Sequence, residues 1–225
     1  MHLRRTFLAT FAAIAFTLSV SDGFAQLASK PADEWSKTLA RPERVASLKI
    51  DEIVSRLGLK PGSVVADIGA GPGVFEPALS KAVTPGGKVY AVEIDQGFID
   101  KINKRAADEQ LKNVVAVLGE FTDPKLPAKD VDVAMFNDVL HHVEKRGELL
   151  QSLAGYLKPN GRIAVIELDP VTGSHKDDPT LQVSKETLKV WMEAAGLHQV
   201  EEVTGLFDDG KWFVIYQKGK PAGTR

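Results

Sequence analysis

Residues 64–73 read Val-Val-Ala-Asp-Ile-Gly-Ala-Gly-Pro-Gly, an apolar run that passes directly into a glycine-rich turn. A segment with helical spacing of apolar residues follows at 75–83, so the local order is strand, loop, helix. A doubly wound parallel sheet binds nucleotide-like ligands at such a turn, because glycines let a ligand approach the backbone closely. The stretch therefore predicts an α/β protein with a ligand site at this turn.

The rest of the chain alternates apolar, β-branched runs with helix-period segments, which predicts parallel strands joined by crossover helices. The last two strands are separated only by a short turn, so we expect them to form an antiparallel hairpin. The predicted strands are 63–68, 88–94, 114–118, 131–136, 162–168, 198–203 and 211–217. The predicted helices are 50–57, 75–83, 97–110, 145–157 and 184–195, the last with a Ser184 and Thr187 capping pair.

The first 25 residues differ in character from the rest. A basic start with Arg4 and Arg5 precedes an apolar run at 7–20, and the small residues Gly23 and Ala25 follow. This order is typical of a cleavable signal peptide. A membrane anchor is the alternative, but the run is short for a span of about 20 residues. We expect cleavage after Ala25, an exported protein that is periplasmic or secreted, and no stable membrane anchor afterwards.

The length and charge of the chain narrow the classes of function. Its 225 residues favour one domain at 63–219, preceded by a lead-in at 26–62. The 28 Lys and Arg nearly balance the 30 Asp and Glu, which argues against nucleic acid as a partner. Because cysteine is absent, disulfides, thiolate metal sites and a cysteine nucleophile are excluded. A small molecule is the expected substrate, and composition predicts no oligomeric state.

A carboxylate closes the second predicted strand, 20 residues after Gly73. Glu93 at this place can accept hydrogen bonds from both hydroxyls of a ribose. Asp95, two residues further on, is the rival, and we expect it to be more exposed. The alternatives are a solvated acid at a strand end and a tight glycine turn without a ligand. Together, in a strand-loop-helix-strand context, the two features favour a nucleoside site.

The spacing of the glycines separates two classes of ligand. The dinucleotide fingerprint has glycine at its first, third and sixth positions. Here Gly69, Gly71 and Gly73 occupy positions one, three and five, and Val74 stands at the sixth. This departure, and the absence of a recognisable Tyr and Lys catalytic pair, argue against a nicotinamide-dependent oxidoreductase. A non-catalytic binding module of the same fold is a further alternative.

These residues carry a family resemblance. The segment at 65–73 resembles motif I of the class I S-adenosylmethionine (SAM) dependent methyltransferases, and the resemblance extends over residues 40–217. It implies a Rossmann-like, doubly wound sheet of seven strands, mostly parallel with an antiparallel last strand. An Arg-Pro-Glu-Arg stretch at 41–44 resembles a secreted bacterial branch of the family. The resemblance also covers Glu93 and the segments 118–120, 137–142 and 157–161.

The resemblance implies SAM as the cofactor and methyl transfer to a small-molecule acceptor as the activity. The loop after the first strand would hold the amino-acid end of SAM, and Glu93 would bind the ribose. Glu120 would accept a hydrogen bond from the adenine amino group, although an aspartate is more common at that position. The implied cofactor-binding residues are Asp67, Gly69, Ala70, Gly71, Gly73, Glu93, Ile94, Glu120, Phe121 and Asn137.

Methyl transfer from an activated sulfonium needs alignment more than covalent help from the protein. An acceptor with a protonated oxygen or nitrogen also needs a base, and the turn after the fourth strand is the expected place for one. Of the polar residues there, Asp138 and His142 are the predicted catalytic residues. Asn137 and Asp138 could instead cap the next helix. We predict no metal, since His141 and His142 are adjacent and would not face the same way on a helix.

Two further segments could face the ligand. Trp35 and the segment at 41–44 could cover the cofactor as a lid, or could only pack against the first helix. His175 lies in the irregular stretch 170–182, at the edge where the family builds its acceptor pocket, and a solvated loop is the alternative.

Overall fold

The computed structural model describes residues 31–207 and 210–219, and the predicted signal peptide at 1–25 lies outside them. Strands and helices alternate along the chain as the apolar pattern predicts. The strands are β1 (Val64–Ile68), β2 (Lys88–Glu93), β3 (Val114–Leu118), β4 (Val131–Asn137), β5 (Leu157–Leu168), β6 (Leu197–Val203) and β7 (Lys211–Lys218). The α-helices are α1 (Ala32–Leu39), α2 (Pro42–Ser47), α3 (Ile50–Arg56), α4 (Glu76–Val83), α5 (Gln96–Asp108), α6 (Arg146–Ala154) and α7 (Lys185–Ala194).

The strands form one seven-stranded sheet in the order β3-β2-β1-β4-β5-β7-β6. Strands β1 to β5 pair in parallel, whereas β7 runs antiparallel to both of its neighbours, β5 and β6. The Rossmann-like fold class, the antiparallel last strand and the closing hairpin are therefore confirmed. The direction of winding reverses between β1 and β4, so a crevice opens there at the carboxyl ends of the strands.

Both faces of the sheet are covered, which explains the nearly continuous apolar runs of its strands. Consecutive residues of β1 point to opposite layers. Val65 lies in a buried cluster with Leu79 of α4, and Ala66 lies in a second cluster with Leu150 of α6. The two layers hold the sheet rigid, so its carboxyl edge is a fixed platform for the loops above it.

The boundary between α6 and β5 differs from the prediction. The helix ends at Ala154, with Gly155 as its C-cap, rather than at residue 157. The predicted turn at 158–161 lies inside the range of β5, because Val131 pairs with Leu157 and Val133 pairs with Arg162. Residues 158–161 therefore bulge out of the ladder while pairing continues on both sides.

The cap predicted for the last helix is present. The Ser184 hydroxyl accepts a hydrogen bond from the Thr187 backbone N–H at 3.1 Å. This contact satisfies one of the unpaired donors of the first turn of α7.

The lead-in is helical and lies across the carboxyl edge of the sheet. Helices α1 and α2 contain no buried residue, whereas α3 buries Ile53 and Val54 in the core. Polar contacts hold the lead-in down: Lys101 of α5 pairs with Asp33 at 2.6 Å, and Lys49 donates to the Leu206 carbonyl at 2.6 Å. In the described part of the chain, no helix has the length and apolar character needed to cross a membrane.

Candidate active site

A cavity of about 720 Å³ opens at the carboxyl ends of β1, β2 and β4, where the strand order reverses. Its volume lies within the range of roughly 300–1,000 Å³ that small-molecule sites occupy. All of the predicted site residues except Gly73 line this cavity. Those residues are Asp67, Gly69, Ala70, Gly71, Glu93, Ile94, Glu120, Phe121, Asn137, Asp138 and His142.

The glycine loop has a backbone that only glycine adopts readily. Gly69, Gly71 and Gly73 have φ angles of +75°, +56° and +75°. A Cβ on Gly69 would lie 2.7 Å from both methyl groups of Val139, whereas one on Gly71 would meet only Leu39, at 3.6 Å. Gly69 is therefore required by packing against the turn after β4, and Gly71 leaves open space at the cavity wall.

Glu93 holds the glycine loop from the end of β2. Its Oε1 accepts a hydrogen bond from the Gly71 N–H at 2.8 Å, and its Oε2 accepts one from the Ile94 N–H at 2.9 Å. Burial raises the pKa of Glu93, and these two backbone hydrogen bonds partly offset the effect. The rival Asp95 is exposed and caps α5 by accepting from the Gly97 N–H at 2.6 Å. Asp95 is therefore the more exposed of the two acids, as expected, although it also lines the cavity.

The side of the cavity assigned to adenine is apolar with an acidic rim. Ile94 and Phe121 are 37% and 49% exposed, so two large apolar side chains are accessible at this wall. Glu120 is exposed and pairs with Lys125 at 3.3 Å, and its N–H donates to the Asp123 carbonyl at 2.7 Å. An apolar slot with a carboxylate at its rim suits a flat heterocycle with an amino group.

A second acid lies under the loop beside Asp67. Asp67 and Glu76 are 3% and 1% exposed. Burial, followed by the charge of Glu93, raises the pKa of Asp67 to about 7. Burial, followed by the charge of Asp67, raises the pKa of Glu76 well above its ordinary value. Sequence reasoning missed Glu76, because an acid in the first turn of a helix is the ordinary partner of the helix dipole.

The turn after β4 is an ion-pair site rather than a helix cap. Asp138 has a φ of +58°, and its Oδ2 lies 2.6 Å from Lys211 Nζ and 3.8 Å from an Arg44 guanidinium nitrogen. No side chain caps the following 3₁₀ helix, Leu140–His142. The Oδ1 atoms of Asn137 and Asp138 are buried and have no hydrogen-bond partner among the described residues. Two acceptors are therefore available to a ligand with donor groups.

Three histidines meet beside this turn. His141 is buried, and its Nδ1 lies 2.6 Å from Oε2 of Glu167, whose Oε1 accepts from the Val139 N–H at 2.8 Å. The His141 ring centroid lies 4.0 Å from that of His142 and 5.1 Å from that of His175. His175 therefore packs against the turn.

The two neighbouring histidines occupy different environments. His142 is half-buried and lines the cavity, whereas His141 points into the protein. Burial, followed by the charge of His141, lowers the pKa of His142 to about 4. His142 is thus neutral near pH 7, and its lowered pKa makes it a weak base. Within the described ranges, no group of three or more His, Asp or Glu side chains is arranged to hold a metal.

A glycine loop, a carboxylate at the end of β2 and an apolar slot at the reversal of strand order define a nucleoside-binding α/β site. Residues 66–165 match a family model described as a methyltransferase domain. A SAM-dependent methyltransferase from Aquifex aeolicus is 25% identical, with a TM-score of 0.73 over 84% of this chain and 98% of that one. These two similarities support the placement of the chain in the class I methyltransferase family.

Two further proteins are similar to the chain. The 27-O-demethylrifamycin SV methyltransferase of Amycolatopsis mediterranei is 29% identical over 134 residues, which are 58% of this chain and 48% of that protein. Magnesium protoporphyrin IX methyltransferase from Synechocystis, a structure with bound SAM, has a TM-score of 0.66 at 18% identity over 93% of this chain and all of that one. The chain spans about half or less of the curated relatives' length. The comparisons support SAM as the cofactor.

Proposed function

We propose that this chain transfers a methyl group from SAM to a small-molecule acceptor. The observation that carries the proposal is the contact of Glu93 with the Gly71 N–H on the wall of the cavity. This contact supports a ribose site at Glu93, beside a loop that would hold the amino-acid end of the cofactor. Asn137 and Asp138 add buried oxygen acceptors, which fit a ligand that carries an ammonium group and ribose hydroxyls.

The acceptor would enter between the lead-in helices and the turn after β4. Trp35, Leu39 and Leu48 form an apolar wall on one side, and Val143 and Leu149 lie on the other. An apolar wall of this kind favours a small, largely apolar acceptor. Trp35 and Arg44 both line the cavity. Their position supports the hypothesis that the lead-in covers the cofactor as a lid.

Bound SAM supplies a methyl group that is already activated for displacement. The contribution of the chain is to align the acceptor with that methyl and to exclude water beneath α1 and α2. His142 is the group that would take a proton from the acceptor, because it faces the cavity. Its lowered pKa makes it a weak base, which suits an acceptor that is itself readily deprotonated. Asp138 is held by two cations, so we assign it to positioning the turn rather than to proton transfer.

Calorimetric titration of residues 26–225 with SAM, S-adenosylhomocysteine and NAD tests the cofactor. We expect micromolar binding of the two adenosyl-sulfur ligands and none of NAD. Binding of NAD alone, or of no ligand, would overturn the proposal.

A screen of small acceptors with labelled SAM then separates an enzyme from a binding module of the same fold. In that assay, His142→Asn should lower kcat and leave the affinity for SAM unchanged.

We also propose that the chain is exported and acts without a membrane anchor or nucleic acid. The basic, apolar and small-residue order of residues 1–25 supports this proposal. Fractionation of cells that express the full chain should place a product beginning at Gln26 in the periplasm or medium. Recovery of the uncut chain in the cytoplasm would contradict export. An exported methyltransferase also requires a source of SAM outside the cytoplasm, which analysis of ligand retained by the purified protein would reveal.

A further inference from the structure

Two carboxyl groups lie together under the glycine loop, one on the cavity wall and one behind it, and among the described residues neither forms a salt bridge. Asp67 lies at the end of β1 and Glu76 begins α4, and both are almost completely buried. Neither carboxyl oxygen of Glu76 has a hydrogen-bond partner of good geometry among the described residues, and the hydrogen-bonding groups that act on it are its own N–H and the Asp67 carboxyl. A buried carboxylate without a donor is costly, so its presence requires an explanation.

A single proton shared by the two carboxyl groups would supply the missing hydrogen-bond donor. Two ionised carboxylates cannot share a buried site, but one protonated group can donate to the other. The charged groups that act on the pair from neighbouring elements are Glu93 at the end of β2 and Arg105 on α5. Arg105 also pairs with Glu109, at 3.3 Å. The pair is therefore not neutralised by a dedicated cation.

The position of Glu76 indicates how it acts. Asp67 lines the cavity, and Glu76 lies behind it, out of reach of the ligand. Glu76 also packs against the loop, because its Oε2 lies 3.2 Å from the ideal Cβ position of Gly73. Any effect of Glu76 on a bound ligand must pass through Asp67 or through the glycine loop.

We propose that Glu76 is a positioning residue for the cofactor, which shares a buried proton with Asp67 in the ligand-free protein and loses that shared proton to solvent when SAM binds. The inference rests on the proposed function. A cation beside Asp67 favours its ionised form, and SAM carries an ammonium and a sulfonium near that end. Because a proton is released, binding must strengthen as pH rises.

Calorimetry in two buffers with different ionisation enthalpies, such as phosphate and Bis-Tris, tests the proton release directly. The measurement is made with SAM between pH 5.5 and 7, below the ordinary range in which an α-amino group titrates. We expect the binding heat to differ between the buffers, with a net release of protons. The affinity for SAM should rise at least roughly tenfold over this range, where the limit for one released proton is about 30-fold.

Glu76→Gln is the informative variant, because it keeps the size and a donor group but cannot hold the shared proton. We expect it to lose at least half of the proton release and most of the pH dependence of affinity. Glu193→Gln, the same change at an exposed position on α7, should behave as wild type.

Thermal unfolding without cofactor gives a second readout. The pKa values of both acids are raised in the folded protein, so the folded state binds more protons than the unfolded state above about pH 4. The pair should therefore contribute stability that is lost as pH rises from 4 towards 8, so Glu76→Gln should gain stability relative to wild type over this range.

The outcomes separate this inference from the proposed function. Binding of SAM with equal heats in both buffers and a constant affinity would overturn the shared proton and leave the methyltransferase proposal intact. Failure to bind SAM at any pH would overturn the cofactor assignment. In that case the melting curves still decide whether the pair holds a proton, since parallel curves for wild type and Glu76→Gln would contradict it.

Discussion

Gly69→Ala is expected to lower the free energy of unfolding by about 3 kcal/mol. The backbone at Gly69 has a φ of +75°, which costs a residue with a Cβ about 1–2 kcal/mol. The new Cβ would also lie 2.7 Å from both Val139 methyl groups, and overpacking of this kind costs about 1–3 kcal/mol. Denaturant unfolding of the two proteins measures the difference.

Gly196→Ala is the matched control. Gly196 has a φ of +78°, but no atom lies within 4 Å of its ideal Cβ. The control should therefore show only the cost of the backbone conformation, about 1–2 kcal/mol. Equal losses for the two variants would show that Val139 moves aside freely, and that the turn after β4 does not press on the glycine loop.

Glu93→Ala is expected to reduce the affinity for SAM at least 100-fold. Hydrogen bonds to a charged group contribute about 1.5–3 kcal/mol each, and two ribose hydroxyls would be left without their acceptor. The same change removes the acceptor for the Gly71 N–H, so the loop would also lose a contact that shapes it. Calorimetric titration with SAM at one fixed pH measures the loss.

Asp95→Ala tests whether the neighbouring acid has the same task. Because Asp95 is exposed and caps α5, its loss should cost about 1 kcal/mol of stability and change the affinity for SAM little. If Asp95→Ala weakened SAM binding as strongly as Glu93→Ala, the assignment of the ribose contact to Glu93 would be wrong. Both variants should be checked for folding by circular dichroism before titration.

The fold could be predicted from the sequence because both faces of the sheet are buried. Strands of this kind appear as short apolar runs, and the intervening helices show a different period. The start of β5 could not be predicted, since the residues at 158–161 have the composition of a turn and bulge from a strand that continues on both sides. Local composition does not reveal whether pairing resumes after a turn.

The cofactor side of the site could be predicted because its parts lie close together in sequence. Gly71 and Glu93 are separated by a single crossover, and the strand order brings them into contact. The partners of the turn after β4 could not be predicted, because Lys211 reaches Asp138 from the far end of the chain. Glu167 was missed for the same reason, since a glutamate at the end of an apolar strand does not indicate that it will bond His141.

The lead-in has a consequence for how such a protein diversifies. Helices α1 and α2 provide part of the cavity wall, yet they contribute no buried side chain to the core. The cavity-facing residues Trp35, Leu39 and Arg44 are only half-buried, so substitutions there remove fewer core contacts than substitutions in the sheet. This segment can therefore change the shape of the cavity while the sheet stays unchanged. The segment that shapes this part of the cavity and the sheet that carries the core are thus separate parts of one chain.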